Sequence, residues 1–120
     1  MTGRQMTQIK RWMVQGVAAA ALVAGTLGAA HADVGDGLKV ARSNACMGCH
    51  ALDRKLVGPS FKDIAARYKS DPQAVAKLSK KVKDGGSGVW GAIPMPAHPR
   101  MSDADVRSVV EWVLAGAPSK

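Results

Sequence analysis

Residues 46–50 read CMGCH, and Cys46 and Cys49 in this segment are the only cysteines of the 120-residue chain. The two thiols are three residues apart, and His50 follows the second of them directly. Thiols exchange disulfides and attach cofactors, and both thiols and imidazoles bind metals. A motif that contains both groups is therefore a candidate functional site. The type of site formed here decides what the rest of the chain folds around.

Three interpretations of this motif compete. A disulfide-exchange motif of the CxxC type belongs with a βαβ pattern, and the sequence shows none. A structural zinc site needs a second pair of ligands, which the scattered histidines do not supply. The pattern C-x-x-C-H matches the attachment motif of covalent haem letter for letter. We therefore predict one haem c bound through Cys46 and Cys49, with His50 as an axial ligand of the iron.

The spacing of the motif has a physical reason. A first helix is predicted over residues 35–46, so Cys46 and Cys49 would lie one turn apart on one face at its end. Both sulfurs can then reach one edge of a planar ring and add to its two vinyl groups. His50 follows Cys46 by four residues, which places its imidazole on the same face.

The first 32 residues have the features of an export signal. Arg4, Lys10 and Arg11 precede an uncharged apolar run over residues 13–30, and AHA at residues 30–32 has the small-x-small form of a signal-peptidase site. We predict that residues 1–32 are a cleaved signal peptide and that residues 33–120 form a single small domain in the periplasm. A retained membrane anchor is the alternative, although a run so rich in Ala and Gly is only weakly hydrophobic.

Residues 33–120 are predicted to form a single small domain that buries only a modest core. Without the three basic residues of the leader, the formal net charge falls from +8 to +5. The aromatic residues that remain are Phe61, Tyr68, Trp90 and Trp112. A core this small needs help from something other than side-chain packing, so we expect the haem to complete it and the cofactor-free chain to be largely unfolded.

The pattern of apolar residues predicts an all-α domain. Four helices are expected, over residues 35–46, 60–68, 71–83 and 102–116. Ser60 and Ser102 are the expected N-caps of the second and fourth, and Asp71 with Pro72 is expected to open the third. Residues 85–99 are too rich in Gly and Pro for any regular element, and a loop of this length in a small domain is usually functional.

The sixth ligand of the iron separates an electron carrier from a protein that binds or transforms small molecules. The candidates in residues 33–120 are Met47, Met95, Met101 and His98. Met95 is favoured because Pro94 and Pro96 restrict the backbone on both sides of it. Met47 lies on the side of His50, Met101 is expected in the core, and His98 is expected near the haem edge or in solvent.

With His50 and Met95 both bound, the iron has no position left for oxygen, peroxide or substrate. The sequence therefore predicts a carrier of single electrons and not an enzyme. The alternative is a haem protein with an open site, either a gas sensor or a peroxidase-like enzyme, which requires that Met95 is not bound.

Four segments together carry a resemblance to a known family. They are CMGCH at residues 46–50, LVGPSFKDIAARY at 56–68, GVWGAIPMP at 88–96 and SDADVRSVVEWVL at 102–114. This combination resembles the small bacterial class I c-type cytochromes, the short periplasmic kind that donate electrons to terminal reductases or oxidases. The similarity covers essentially all of residues 33–120. It implies a cytochrome c fold, in which about four short helices wrap around one covalent haem.

The resemblance also implies roles for single residues. Cys46 and Cys49 would carry the thioethers, and His50 and Met95 would be the axial ligands. The carbonyl of Pro59 would accept a hydrogen bond from the second ring nitrogen of His50. In the same way, the indole of Trp90 would donate to a haem propionate. The chain departs from the family pattern at His98, where close relatives often have an asparagine.

The positive charge suggests which partners to expect. Basic residues concentrate at 77–83, with five more between residues 54 and 69. A solvated helix face accounts for part of them, and nucleic acid is excluded by the expected compartment and by the absence of interleaved aromatic residues. We expect the rest to steer a monomer toward acidic patches on redox proteins, with a membrane cytochrome complex as donor and a terminal oxidase or nitrite reductase as acceptor in a respiratory chain.

Overall fold

The computed structural model of the protein describes Gly25 and residues 34–120, and its helices confirm the all-α prediction. The elements are α1 (Val34–Ser43), a short 3₁₀ helix (Cys46–Gly48), α2 (Phe61–Tyr68), α3 (Ala74–Asp84) and α4 (Asp103–Leu114). The predicted signal peptide and the alternative membrane anchor lie outside the described residues, apart from Gly25. None of the described helices is both long enough and apolar enough to span a bilayer.

The first helix is shorter than predicted. It ends at Ser43 because Ala45 adopts a left-handed conformation with φ of 58°, which redirects the chain before Cys46. The side-chain amide of Asn44 donates to the carbonyl of Val40 at 2.9 Å and closes the last turn. The prediction that Cys46 belongs to α1 is therefore wrong, and the two cysteines occupy a separate tight turn.

The caps of α2 and α4 are confirmed, whereas the start of α3 is not where we expected it. The hydroxyl of Ser60 accepts from the amide of Asp63 at 3.0 Å, and that of Ser102 accepts from Asp105 at 3.1 Å. Asp71 does not cap α3 directly, because its carboxylate accepts from the amide of Gln73 and holds a turn ahead of the helix. The third helix consequently begins at Ala74, three residues after Asp71.

Helix α4 is the centre of the fold, since α1, α2 and α3 all pack against it. The buried side chains of α4 include Trp112, which is completely buried, and four valines: Val106, Val109, Val110 and Val113. At Gly37 the backbone of α1 comes so close to α4 that an added Cβ would lie 2.0 Å from Cβ of Trp112. A glycine is therefore required where these two helices meet.

A row of three rings connects this core to the CMGCH segment. The indole of Trp112 meets Phe61 edge-on, with 5.1 Å between ring centroids, and its N–H donates to the carbonyl of Pro118 at 3.0 Å. Phe61 in turn stacks on the imidazole of His50, with 5.2 Å between centroids. The packing of α4 thus extends to the predicted site and restricts the position of its histidine.

Candidate haem-binding site

An apolar cavity of about 410 Å³ lies between the helices and the loops. Its wall on α4 consists of Val109, Val110 and Val113, and the rest of its lining comes from the CMGCH segment, from α2 and α3, and from the loops at 55–59 and 86–96. This volume falls within the usual range for cofactor and ligand sites. The mostly apolar walls suit a flat apolar ring such as haem.

Cys46 and Cys49 both line this cavity, and both are free thiols that are partly buried. The amides of Cys49 and His50 converge on the carbonyl of Cys46, at 3.2 and 3.0 Å, and so form one tight turn. Burial raises the pKa of the Cys46 thiol, which therefore stays protonated at neutral pH in the chain without cofactor. The turn brings both thiols to one cavity, as attachment to two vinyl groups of one ring requires.

The imidazole of His50 is buried and held in one tautomer. Its Nδ1 lies 2.7 Å from the carbonyl oxygen of Pro59. Because a carbonyl only accepts, Nδ1 carries a proton in this contact, and in the neutral imidazole this leaves on Nε2 the lone pair that binds a metal. This is the contact that the family resemblance implied for Pro59.

Gly58 and Phe61 both lie close to this ring and restrict its orientation. A Cβ atom on Gly58 would lie 2.6 Å from Cε1 of His50, while Phe61 stacks on the ring. The amide of Gly58 also donates to the carbonyl of Cys49 at 2.8 Å, which ties this loop to the motif. The His50 ring therefore has little freedom to rotate.

Met95 lines the same cavity as His50, and its main chain is held in place. Met95 and Gly86 exchange two backbone hydrogen bonds, of 2.9 and 3.0 Å, across the loop between α3 and α4. Gly85, with φ of 67°, ends α3 so tightly that a Cβ there would lie 2.4 Å from the carbonyl oxygen of Met95. The loop thus presents Met95 to the cavity from a fixed backbone.

The other candidates for the sixth ligand do not line the cavity. Met101 is buried in the core, as expected, and Met47 packs against that core. The amide of His98 donates to the carbonyl of Val82 at 2.9 Å, and its Nδ1 is buried without a hydrogen-bond partner. Within the part of the chain that the structure describes, Met95 is thus the one methionine in the cavity lining.

Trp90 also lines the cavity, but it is 40% exposed and so is not a core residue. The guanidinium of Arg67, on α2, lies 4.8 Å from the centroid of its ring and restrains the loop that carries it. Two basic side chains, Lys55 and Lys81, complete this part of the lining. Residue spacing does not indicate the contacts that Arg67, Lys81 and Gly58 make at this site, because contacts of this kind depend on the tertiary fold.

An all-α domain in which C-x-x-C-H opens onto an apolar cavity defines a class of proteins that carry covalent haem. The chain belongs to the cytochrome c family, whose model, described as "Cytochrome c", matches residues 34–117. Members of this family hold haem c through the two thiols of this motif, and Cys46, Cys49 and His50 are its residues here. The predicted fold, family and cofactor are thereby confirmed.

Individual proteins similar to this chain are cytochromes c as well. The chain is similar to cytochrome c-552 of Nitrosomonas europaea, with 44% identity over 86% of this chain and 93% of that protein. It is also similar to cytochrome c-551 of Pseudomonas aeruginosa, with 40% identity over 78% of this chain and 89% of that protein. The crystal structure of the wild-type Nitrosomonas europaea cytochrome covers 65% of this chain and 96% of its own, with a TM-score of 0.63 and 45% identity.

Proposed function

We propose that the protein is an electron carrier whose haem iron is bound by His50 and Met95. The observation that carries this proposal is that both side chains line one cavity, His50 with Nδ1 hydrogen-bonded to the Pro59 carbonyl and Met95 on a fixed loop. The haem supplies one-electron exchange between ferrous and ferric iron. A thioether ligand and apolar surroundings both favour the ferrous form, so we expect a positive reduction potential.

The protein's own residues have four tasks in this function. Cys46 and Cys49 would fix the ring, and the Pro59 carbonyl holds the His50 tautomer that binds iron. The valines of α4 exclude water from one wall of the cavity. Trp90, restrained by Arg67, is proposed to donate its indole N–H to a propionate at the mouth of the cavity.

An optical spectrum of the purified protein tests the ligand assignment. Ferric haem with a sulfur ligand gives a weak near-infrared band, and we expect this band in the wild type. Met95→Leu, which removes the sulfur but keeps the bulk, should abolish it and let the reduced protein bind carbon monoxide. Met101→Leu is the matched control, since Met101 lies in the core outside the cavity lining. A wild type without the band that binds carbon monoxide readily would favour an open-site sensor or peroxidase-like enzyme instead.

The surroundings of the cavity support a docking face for other redox proteins. The large apolar side chains that remain exposed in the described residues all belong to loops around it: Leu56, Val57, Val89, Trp90 and Ile93. Lys55 and Lys81 line the same cavity, and residues 33–120 carry a net charge of +5. An apolar patch beside positive charge suits brief contact with an acidic patch on a partner.

This face would accept electrons from a membrane cytochrome complex and pass them to a terminal oxidase or nitrite reductase, with the protein acting as a periplasmic monomer. Such contacts weaken as salt screens the charges, so the rate of electron transfer to the true partner should fall as ionic strength rises. A rate that does not change with salt would contradict the electrostatic part of the proposal. Amino-terminal sequencing of the exported protein would show whether residues 1–32 are removed.

A further inference from the structure

Lys83, in the last turn of α3, reaches across to the start of α4. Its Nζ donates to the carbonyl oxygen of Met101 and lies 3.0 Å from Oδ1 of Asp103. The side chain of Lys83 is 30% exposed, whereas that of Asp103 is 97% exposed. An ion pair with so exposed a carboxylate contributes little to stability, so the hydrogen bond to the Met101 carbonyl is the stronger of the two contacts.

These two contacts lie at the base of the loop that carries Met95. The loop leaves α3 after Asp84 and enters α4 at Asp103. Two sets of backbone hydrogen bonds hold this loop. Gly86 and Met95 bond to each other within it, and the His98 amide bonds back to the Val82 carbonyl of α3. Lys83 makes a third connection, with its side chain and not with its backbone.

We infer that Lys83 is a positioning residue for Met95, one that acts by holding the two ends of the loop together. For Met95 to leave the cavity, the loop must move away from the helices that flank it. Movement of its α4 end breaks the bond between Lys83 and Met101, and the carbonyl loses a charged donor. This inference rests on the proposed role of Met95 as an iron ligand.

The test is the rate at which added imidazole replaces Met95 on the ferric protein, followed as loss of the near-infrared band. Lys83→Met keeps the aliphatic stem but removes the donors and the charge. We expect it to react roughly tenfold faster than wild type, as follows from losing one charged hydrogen bond that holds the closed loop. The matched control is Lys80→Met, on the same helix, because the ion pair of Lys80 with Asp84 stays within α3 and does not connect α3 to the α4 end of the loop.

Two further variants separate the hydrogen bond from the ion pair. Lys83→Arg keeps a charged donor at this position and should react at close to the wild-type rate. Asp103→Asn removes only the exposed carboxylate and should also remain close to wild type. Measuring the guanidinium midpoint of every variant separates faster loop opening from a general loss of stability.

The inference is overturned if Lys83→Met reacts no faster than Lys80→Met, or if Lys83→Arg is as fast as Lys83→Met. It is also overturned if Lys83→Met lowers the guanidinium midpoint while the rate of imidazole binding under native conditions is unchanged. A wild-type protein that lacks the near-infrared band gives a different result, because the ligand assignment itself then fails. Failure of this inference and failure of the proposed function are therefore distinguishable.

Discussion

Gly58 lies so close to the imidazole of His50 that an added Cβ would be 2.6 Å from Cε1 and 2.9 Å from Nδ1. Real Cβ atoms do not approach other atoms this closely, so any side chain at position 58 must push the ring or the backbone aside. The same ring donates to Pro59 and stacks on Phe61. The placement of His50 therefore depends on a residue that has no side chain.

Gly58→Ala should disturb the haem site and the stability together. Overpacking of this kind typically costs about 1–3 kcal/mol, and a shifted ring weakens the bond to the Pro59 carbonyl. We expect a lower denaturation midpoint and a changed reduction potential, measured by guanidinium titration and by voltammetry. Gly48→Ala is the matched control, since a Cβ at Gly48 would meet nothing within 4 Å. Equal effects of the two substitutions would contradict this account of Gly58.

Gly37→Ala should destabilise the domain while leaving the haem environment almost unchanged. The added Cβ would lie 2.0 Å from Cβ of Trp112 and 2.7 Å from the carbonyl oxygen of Ser108, both on α4. The helices must separate, at a cost of about 1–3 kcal/mol or more. Thermal unfolding measures the loss, and the visible spectrum should remain that of wild type. If the variant were more stable than wild type, the close contact between α1 and α4 would be wrong.

Replacing both Cys46 and Cys49 by alanine should remove covalent haem and most of the helical structure. The remaining core lies beside a cavity of about 410 Å³ that apolar residues surround and that the haem is expected to fill. A domain this small has little stability to spare for exposing those residues to water. Far-UV circular dichroism measures the helix content. A fully helical spectrum from the haem-free protein would contradict the prediction that the cofactor completes the core.

Lys55→Gln should change the rates of oxidation by an anionic and by a cationic small oxidant in opposite directions. Lys55 lines the cavity, so its charge lies near the expected haem edge. Its loss should slow oxidation by anionic ferricyanide, and accelerate oxidation by a cationic cobalt complex, by roughly 1.5- to 3-fold at low salt. Lys80→Gln is the control because Lys80 does not line this cavity. Stopped-flow measurement of both reactions decides, and equal effects of the two variants would place the relevant charge elsewhere.

Asp71→Asn should reduce stability at neutral pH and have no effect in strong acid. The hydrogen bond from Lys77, and then that from the Gln73 amide, lower the pKa of the Asp71 carboxyl. A carboxyl with a lowered pKa in the folded state stabilises the protein above its unfolded pKa, and this contribution disappears as the pH falls through the folded pKa. Guanidinium midpoints of wild type and variant should thus converge on acidification. Asp53→Asn, at an exposed carboxylate without an ion pair in the described part of the chain, should show a smaller difference at neutral pH.

Local features of the sequence predicted local features of the structure. The caps at Ser60 and Ser102 and the buried valines of α4 follow from hydrogen bonds and periodicity within a few residues. The end of α1 could not be predicted in this way, because alanine ordinarily favours helix and Ala45 adopts a left-handed conformation instead. The start of α3 was misplaced because the side chain of Asp71 caps the preceding turn.

In the site, too, the sequence indicated some of the residues and not others. The motif identified Cys46, Cys49 and His50, and the flanking prolines indicated Met95, whose presence in the cavity lining supports its proposed role. The contact between Gly58 and His50 and that between Arg67 and Trp90 join residues by their approach in the folded state. No spacing rule encodes such an approach. Glycine at position 58 shows only that a side chain is absent there, not which ring occupies the space.

The cavity is assembled from distant parts of the chain, since its thiols are at residues 46 and 49 and its valine wall is at residues 109–113. A haem already joined to the thiols stays attached to the chain while the rest folds. The binding of the attached haem to α4 is then an intramolecular step. The entropic cost of closing the segment between them grows only slowly with its length. The attached haem has an effective concentration at the valine wall of α4 on the order of millimolar, as for short flexible tethers. This concentration does not depend on how much free haem surrounds the protein.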